Sequence, residues 1–413
     1  MVVLEASSRQ SQANRIIIQK FGGTSVATAE ARKLVASKVL EAQKQGFQPV
    51  VVVSAMGRRP DPYATDTLLD MVNSTGIEVA PRERDLLISC GEIISAVILV
   101  QALKAVGIQA QAFTGSQSGI ITDDRFGEAR IIGIGPERIL ASIRDGHVPV
   151  VAGFQGCSIA GDITTLGRGG SDTTASALGV ALKAELVEIY TDVDGVMSAD
   201  PRVSGGSQIL ESMTYEEILE LANNGAKVVH PRAVEIVRQA GIPMKVKNTF
   251  SDAPGTLITS GKTSRIITGV THLAGLSRIE VDLTGHPDQH QARVLVFKAI
   301  SEEGINIDFV NMTPQSVLFT IKSDLQEKAQ CALTKQGFAA SVVPHCAKVS
   351  VVGAGMQHVP GIMARVVDAL YREDISIMQT VDSEITISCL IAEKDAERAV
   401  RALFQEFGLS RVV

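Results

Sequence analysis

The stretch IIIQKFGGTSV, residues 16–26, decides the fold of the first half of the chain. Its β-branched start followed by Gly-Gly is typical of a buried strand that ends in a glycine loop. We expect a helix from about residue 27 to residue 46. Glycines let backbone N–H groups approach an anion, and a helix start adds unpaired donors. With Lys20 as a mobile cation, the stretch predicts a phosphate cradle, and a plain tight turn is the alternative.

Composition limits the class of protein. The chain has 413 residues, of which 45% are hydrophobic, enough for two or three domains. A net charge of -6 argues against a nucleic-acid or membrane partner. The five scattered cysteines predict buried free thiols in a reducing compartment. We expect a disordered tail at residues 1–14, no run long enough to span a bilayer, and a cytoplasmic protein.

Further buried strands alternate with helical segments through the first half of the chain. This order predicts an α/β domain with a mostly parallel sheet covered on both faces. The predicted strands are 49–54, 109–113, 148–152, 187–196 and 243–248.

A long apolar helix is predicted from Pro81 onwards, and Cys90-Gly91-Glu92 interrupts it. Residues that break a local rule collect at functional sites. The alternative is a kinked helix with a solvated glutamate.

The segment LGRGGSDTT, residues 166–174, precedes a predicted helix of small residues at 175–184. Arg168 offers a planar fork for a carboxylate or phosphate. The glycines expose backbone N–H groups, and Asp172 can accept from an ammonium group. This combination favours a zwitterionic amino acid as ligand, whereas a capped helix with a surface Arg–Asp pair is the alternative.

An acidic turn follows the predicted strand that starts at residue 187. Asp192 and Asp194 could orient magnesium through water or bond a ribose. They could equally be residues of Asx turns.

Taken together, these motifs resemble the amino-acid kinase family and, within it, the aspartokinases. The matching segments are KFGGTSV (20–26), SAMG (54–57), CGE (90–92), FTGSQSG (113–119), LGRGGSDTTA (166–175), YTDVDGV (190–196) and ADPR (199–202). The resemblance implies a three-layer αβα sandwich followed by two βαββαβ ACT domains. It also implies that the γ-phosphoryl group of ATP, accompanied by Mg2+, is transferred to the β-carboxylate of L-aspartate.

The resemblance also implies roles for individual residues. It implies no protein ligand for the metal. The implied catalytic residues are Lys20, Arg168 and Asp172. The implied substrate-binding residues are Thr65, Glu92, Arg168, Gly169, Gly170, Ser171 and Asp172. The implied ATP-binding residues are Lys20, Gly22, Gly23, Thr24, Thr191, Asp192, Asp194, Gly195, Arg202 and Lys227.

An internal repeat occupies the second half of the chain. Segments at 278–281, 297–300 and 304–307 recur at a common offset of about 70 residues. The repeats resemble tandem ACT domains, the amino-acid-sensing modules of aspartokinases. We therefore predict a catalytic domain at 15–262 and ACT domains at 263–345 and 346–413.

In this family the effector site lies at an ACT–ACT interface between chains, which implies a homodimer. The segment 306–314 is closer to diaminopimelate-sensitive aspartokinases than to those sensitive to lysine plus threonine, and either effector class remains open. The implied effector-binding residues are Asn306, Ile307, Asp308, Asn311, Ile375 and Ile377.

Two rival functions remain. One is another amino-acid kinase, acting on acetylglutamate or carbamate, and Glu92 with Asp172 argues against it because both would face a free ammonium group. The other is a non-catalytic amino-acid sensor, whereas Lys20 and Arg168, which such a sensor would not need, are both present.

Overall fold

The computed structural model describes residues 15–74, 76–226, 228–261, 265–356 and 359–410. The predicted tail at 1–14 and Lys227 lie outside the described residues. The chain divides into two compact units. The first contains residues up to 196, 209–222 and 228–261, and the second contains 197–208, 223–226 and the part from 265 onwards.

The strands, numbered along the chain, are β1 (Ile16–Phe21), β2 (Gln48–Val53), β3 (Ala110–Phe113), β4 (Ile120–Thr122), β5 (Ile131–Ile134), β6 (Val148–Ala152), β7 (Gln155–Ser158), β8 (Ile163–Thr165), β9 (Leu186–Thr191), β10 (Ser212–Thr214), β11 (Met244–Asn248), β12 (Thr256–Thr259), β13 (Gly269–Asp282), β14 (Asp308–Met312), β15 (Ser316–Lys322), β16 (Ala340–Val352), β17 (Gln379–Asp382) and β18 (Thr386–Ala392).

The helices are α1 (Gly23–Val26), α2 (Ala29–Lys44), α3 (Thr65–Asn73), α4 (Pro81–Ala105), α5 (Glu137–Arg144), α6 (Gly170–Ala181), α7 (Tyr215–Asn223), α8 (Pro231–Ala240), α9 (Gln289–Glu302), α10 (Gln326–Lys335), α11 (Ile362–Arg372) and α12 (Ala396–Glu406).

An eight-stranded sheet forms the centre of the first unit, in the order β10-β12-β11-β9-β1-β2-β6-β3. Neighbouring strands are parallel except β11 and β12, which are antiparallel. Strand β1 lies between β9 and β2, and Ile18 and Phe21 on it are fully buried. The mostly parallel sheet predicted from the sequence is therefore confirmed.

A second, four-stranded sheet has the order β5-β4-β7-β8. The sequence analysis did not predict it, because its strands have only three or four residues and show no clear alternation.

One short helix was not predicted, and one helix boundary was predicted wrongly. The predicted helix at about 27–46 is present as α2, which Thr28 caps by accepting a hydrogen bond from the Ala31 N–H (3.1 Å), and the separate helix α1 precedes it. Helix α6 begins at Gly170, five residues earlier than predicted, after Gly169 adopts φ 69°. The side chains of Ser171 and Asp172 therefore belong to the first turn of α6.

Helix α4 is long and apolar enough, at 25 residues, to cross a membrane by length and composition. The prediction that no run reaches this length was therefore wrong. Half of the most apolar 18-residue stretch of this helix is buried inside the protein. Leu99 and Leu103 belong to the core beside β2 and β6. This burial is typical of a core helix.

All five cysteines are free, but Cys90 and Cys331 are exposed, so the expectation of uniformly buried thiols was wrong. Both lie on helix faces that no other element of the described chain covers, which local sequence does not determine.

The second unit contains a six-stranded antiparallel sheet in the order β14-β15-β13-β16-β18-β17. The predicted repeat is present, with β13, α9 and β14 matching β16, α11 and β17. Gly304 and Asp374, at equivalent positions of the two repeats, both have positive φ, at 68° and 54°.

The two repeats share their longest strands. Both halves of β13 pair with β16, the first half, 269–273, with residues 348–352 and the second half, 276–281, with residues 340–346, and the second half also pairs with β15. Two cores result, one around Ile279 and Phe319 and the other around Val270 and Val351. A division of this half at residue 345 would therefore cut through β16.

Candidate active site

A cavity of about 260 Å³ opens at the carboxyl end of β1. Several elements of the first unit supply its wall, and every residue implied to bind substrate lines it. The lining residues are Lys20, Ser54, Thr65, Glu92, Phe154, Gly167, Arg168, Gly169, Gly170, Ser171 and Asp172. The structure thus brings together residues that are up to 152 positions apart in the sequence.

Lys20 and Asp172 form an ion pair in this cavity, with 2.7 Å between Nζ and Oδ1. The two side chains are only 12% and 13% exposed, so solvent screens the pair less than a surface pair. Lys20 comes from β1 and Asp172 from the first turn of α6. The pair places one positive and one negative charge side by side in the cavity wall.

Glu92 is 2% exposed on α4. Its Oε1 accepts a hydrogen bond from the Ala55 N–H (3.1 Å), and Oε2 has no partner. Burial disfavours the charged form and raises the pKa of Glu92 to about 8. The alternative of a kinked helix with a solvated glutamate is therefore wrong, and Glu92 is a buried acceptor with one free oxygen.

Gly91 explains why a glycine stands next to this glutamate. A Cβ atom at Gly91 would lie 2.8 Å from both Ala55 Cβ and Tyr63 O. The segment that leads into Thr65 therefore passes directly over α4, and this close approach brings Thr65 to the cavity.

The Arg168 loop bends at two glycines. Gly167 and Gly169 have φ values of 74° and 69°, a region that favours glycine. The His230 ring lies behind Gly169 and leaves no room for a Cβ atom there. Burial lowers the pKa of His230, so its ring is neutral at pH 7. The exposed Arg168 is thus held on a loop whose backbone is closely confined.

Sequence reasoning assigned no role to three lining residues, Ser54, Phe154 and Gly167. Ser54 follows β2 and stands in the SAMG segment, which was noted without a role for the serine. Phe154 has φ 69°, rare for a non-glycine residue, and its N–H donates to Thr174 Oγ1 (3.0 Å). No pattern in the sequence indicates that strained conformation.

Most of the described residues implied to bind nucleotide lie at the carboxyl ends of β1 and β9, which are neighbouring strands. The Gly22 N–H donates to the Tyr190 carbonyl (3.2 Å), which ties the two strand ends together. Asp194 Oδ1 accepts from Ser251 Oγ (2.6 Å) and Asn248 Nδ2 (2.7 Å), and these bonds lower the pKa of Asp194.

Other members of that set have different surroundings. Thr191 Oγ1 donates to Asp192 Oδ1 (3.2 Å), and Asp192 also pairs with Arg58 at 2.9 Å. Gly195 has φ 152°, and a Cβ atom there would lie 2.7 Å from Thr256 Oγ1. These contacts fix the turn that follows β9.

Gly22 and Gly23, the glycines of the predicted phosphate cradle, differ in the space around them. A Cβ atom at Gly23 would lie 2.6 Å from the Ala55 carbonyl oxygen, whereas one at Gly22 would meet nothing closer than 3.6 Å. Gly23 and Thr24 belong to the short helix α1. Close backbone packing therefore explains Gly23, whereas a Cβ atom at Gly22 would make only ordinary contacts, with the Tyr190 carbonyl (3.6 Å) and Lys20 Nζ (3.8 Å).

Arg202 belongs to the second unit, unlike the other described residues of the implied nucleotide set. Its guanidinium group forms a fork with Asp200, with 2.6 Å between Nη2 and Oδ2. This partner raises the pKa of Arg202 and lowers that of Asp200. Lys227, also in the implied set, lies outside the described residues.

The residues implied to bind effector lie in the second unit and differ in exposure. Asp308 Oδ2 pairs with Lys348 Nζ at 2.6 Å, which links the two repeats. Asn306 and Asn311 are exposed, whereas Ile307 and Ile377 are half-buried. Ile375 is 5% exposed and packs in the second core, so only its backbone remains for an effector.

Among the described residues, no three His, Cys, Asp or Glu side chains converge into a metal site. Mg2+ commonly keeps several waters and uses substrate phosphates with one or two carboxylates. The carboxylates of the implied nucleotide set that such an ion would use are Asp192 and Asp194, at the end of β9.

Comparison with known proteins gives consistent matches. The amino acid kinase family model matches residues 15–248, and an ACT domain model matches residues 349–407. The chain is 46% identical to aspartokinase 1 of Bacillus subtilis (strain 168) over 405 residues, which cover 96% of this chain and 100% of the relative. It is 40% identical to the aspartokinase of Mycolicibacterium smegmatis over 412 residues, 95% of this chain and 96% of the relative.

Solved structures agree with these sequence matches. The structure of E. coli aspartokinase III in complex with aspartate and ADP is similar with a TM-score of 0.80 and 25% identity, covering 95% of this chain and 99% of that chain. The aspartate kinase of Clostridium acetobutylicum gives a TM-score of 0.77 and 26% identity, covering 95% of this chain and 100% of that chain.

Proposed function

Because the chain belongs to the amino acid kinase family and, within it, to the aspartokinases, we propose that it phosphorylates the β-carboxylate of L-aspartate. The phosphoryl donor is ATP and the product is 4-phospho-L-aspartate. One observation carries the proposal. The cavity at the end of β1 combines a lysine, an arginine and two carboxylates beside the strand end that bears the nucleotide set.

The cavity has the charges that an amino-acid substrate needs. Arg168 offers a planar fork for the α-carboxylate. Glu92, with its free Oε2, and Asp172 are acceptors for the α-ammonium group. A substrate held at both groups of its backbone presents its side-chain carboxylate in one direction. Thr65 and the backbone of Gly169, Gly170 and Ser171 complete the wall.

Lys20 is the group that stabilises the transferring phosphoryl. Phosphoryl transfer depends on positioning and on stabilisation of charge rather than on a covalent intermediate. Asp172 holds Lys20 Nζ at 2.7 Å and so orients the ammonium group before substrates arrive. The same aspartate thus serves both the lysine and the substrate.

The nucleotide binds along the ends of β1 and β9. Gly22, Gly23 and Thr24 line the phosphates, with backbone donors from Gly23 and Thr24 because the Gly22 N–H is bonded to the Tyr190 carbonyl. Thr191, Asp192, Asp194 and Gly195 surround the rest of the nucleotide. Mg2+ bound with ATP would neutralise phosphate charge during transfer. Arg202 and Lys227 remain proposed nucleotide contacts through family resemblance alone. E. coli aspartokinase III has been solved in complex with aspartate and ADP, which supports aspartate and an adenine nucleotide as the two ligands proposed here.

Regulation is proposed through the ACT repeats. An aspartokinase makes the first intermediate toward diaminopimelate, lysine, threonine and methionine, and feedback by an end product fits an amino-acid sensor on the same chain. We favour diaminopimelate, with lysine or threonine as alternatives. E. coli aspartokinase III has been solved with lysine and aspartate, which supports an amino-acid effector. The protein is also proposed to be a cytoplasmic homodimer.

The proposed reaction is tested by trapping the acyl phosphate with hydroxylamine in the presence of ATP and Mg2+. We expect hydroxamate to form only when L-aspartate is supplied. Acetylglutamate and carbamate serve as competing substrates. Hydroxamate with one of these but not with aspartate would assign another carboxylate kinase, and no ATP consumption with any of them would favour a pure sensor.

A further inference from the structure

We propose that Asp85 and Arg232 are positioning residues. They hold the loop of residues 166–169, between β8 and α6, and thereby fix the place of Arg168. The inference rests on the function proposed above, in which Arg168 binds the α-carboxylate of aspartate. Neither residue lines the cavity. Both act on the chain segment that leads into it.

Asp85 is a fully buried carboxylate in the first half of α4. Its Oδ2 accepts from the Gly127 N–H (2.8 Å) and from the Thr165 N–H (2.7 Å). Its Oδ1 accepts from Thr165 Oγ1 (2.9 Å). Hydrogen bonds to an ionised acceptor are about twice as strong as neutral ones. The Asp85 side chain therefore joins α4 to two separate segments of the chain, residues 127–129 and residues 165–166.

Arg232, on α8, supplies the complementary donors to the same two segments. Its Nη1 donates to the Leu166 carbonyl and its Nη2 to the Ala129 carbonyl, each at 3.2 Å. The segments are also joined directly, because the Ala129 N–H donates to the Thr165 carbonyl (2.9 Å). The Asp85 carboxylate thus accepts from backbone N–H groups of the segments 127–129 and 165–166, and the Arg232 guanidinium group donates to backbone carbonyls of the same two segments.

This clamp ends immediately before the substrate arginine. Only Gly167 separates Leu166 from Arg168, and a Cβ atom at Gly167 would lie 3.1 Å from the Gly127 carbonyl oxygen. The Gly170 N–H donates to the Gly167 carbonyl (3.0 Å) and closes the turn into α6. Because Arg168 is exposed, its backbone anchor is what limits where the guanidinium group can reach.

The position of Asp85 on α4 suits a role in substrate recognition. Glu92 lies seven residues further along the same helix, which is about two turns. Helix α4 therefore carries both the carboxylate that faces the substrate ammonium and the carboxylate that anchors the loop for the substrate carboxylate. A rigid helix sets the distance between these two recognition points.

Asp85→Asn is the direct test, because it keeps the side-chain volume but turns one acceptor into a donor that faces backbone N–H groups. We expect the KM for aspartate to rise about tenfold or more, with kcat and the KM for ATP within about twofold. Arg232→Lys, which loses the fork, is expected to show the same split. Amide hydrogen exchange at Gly127 and Thr165 should increase in Asp85→Asn.

Asp162→Asn is the matched control. Asp162 lies just before β8 but pairs with Arg82 at the surface (2.7 Å), so kinetics and amide exchange should not change. Thermal melting shows whether each variant folds. If Asp85→Asn does not fold, Thr165→Val removes only the Oγ1 bond and should give a smaller rise in the aspartate KM.

The outcomes separate this inference from the proposed function. If Arg168→Ala raises the aspartate KM but folded Asp85→Asn does not, the positioning role is wrong. If kcat and the ATP KM of Asp85→Asn change as much as the aspartate KM, the role is merely structural. If neither Arg168→Ala nor Asp85→Asn changes the aspartate KM while amide exchange increases, the role proposed for Arg168 is wrong, and the positioning role fails with it.

Discussion

Glu92 is the group through which pH acts on this site at the scale of single residues. Its pKa of about 8 means that the empty cavity holds a neutral acid at pH 7. In the role proposed for Glu92, the charged carboxylate binds the substrate ammonium group, so we expect proton release to accompany substrate binding. The burial that makes Glu92 a specific acceptor also makes it dependent on pH.

We expect the apparent affinity for aspartate to increase between pH 7 and pH 9, because Glu92 becomes charged in that range. In Glu92→Gln the affinity should be lower, by about tenfold, and independent of pH in this interval. Aspartate KM measured across the interval checks this, with Glu83→Gln, an exposed position of α4, as the control. An unchanged pH profile in Glu92→Gln would contradict the assignment.

The same group has a consequence for stability. A carboxyl group whose folded pKa is raised contributes stability that is fully present below its unfolded pKa, about 4.5, and is lost as pH rises through 8. Glu92→Gln removes this loss. We therefore expect the difference in Tm between Glu92→Gln and wild type to shift in favour of the variant from pH 5 to pH 9, as measured by calorimetry.

Lys20→Ala should lower kcat by at least about 100-fold, because the charge aimed at the phosphoryl group is removed. Binding of effector, measured by calorimetry, should remain. Lys104→Ala, on the exposed last turn of α4, is the control and should leave kcat unchanged. Near-normal turnover in Lys20→Ala would show that another group stabilises the transferring phosphoryl.

At the scale of secondary-structure elements, Gly91 shows how packing overrides helix propensity. An alanine in a helix is normally more stable than a glycine by about 1 kcal/mol. At Gly91 the added Cβ would lie 2.8 Å from Ala55 Cβ and Tyr63 O. The segment over α4 would have to move, and it carries both the Ala55 N–H bonded to Glu92 and the approach to Thr65.

We therefore expect Gly91→Ala to destabilise the protein by about 1–3 kcal/mol and to raise the aspartate KM. Chemical denaturation and steady-state kinetics measure the two effects. Cys90→Ala, at the exposed neighbouring position, should change stability by less than about 0.5 kcal/mol. A stabilised Gly91→Ala variant would mean that helix propensity outweighs the close contact.

At the scale of the whole molecule, the catalytic and sensing parts are not consecutive blocks of sequence. Residues 197–208 and 223–226 belong to the second compact unit although first-unit segments flank them. Within that unit, Ser198 Oγ donates to the Leu409 carbonyl (3.0 Å) and the Val270 N–H donates to the Ser198 carbonyl (2.9 Å). The chain that follows Gly195 therefore passes directly into the second unit and is anchored there.

Titration of the wild-type enzyme with diaminopimelate, lysine and threonine in turn tests its regulation. We expect inhibition by diaminopimelate alone. Asp308→Asn, which breaks the 2.6 Å pair with Lys348, should raise the concentration for half-inhibition about tenfold. Lys298→Gln, which removes an exposed pair on α9, is the control. Inhibition by lysine or threonine would keep the kinase but reassign the effector.

Short-range features of this protein could be determined from its sequence alone. The buried strand of residues 16–21 and the repeat of the second half depend on neighbouring residues and on periodicity, whereas the short helix α1 that replaces the predicted glycine loop was not predicted. Backbone preferences and the alternation of apolar residues act over a few positions, so they are visible without a structure. The family motifs added the substrate and nucleotide sets, but not their contacts.

Only the tertiary structure decided which of those residues meet. The Lys20–Asp172 pair, the burial of Glu92 against Ala55 and the anchoring of the Arg168 loop by Asp85 all join distant parts of the chain. The same holds for β13 and β16, which belong to different repeats and pair along most of their length. Such contacts arise from burial and long-range packing, which depend on the whole fold and not on any local stretch of sequence.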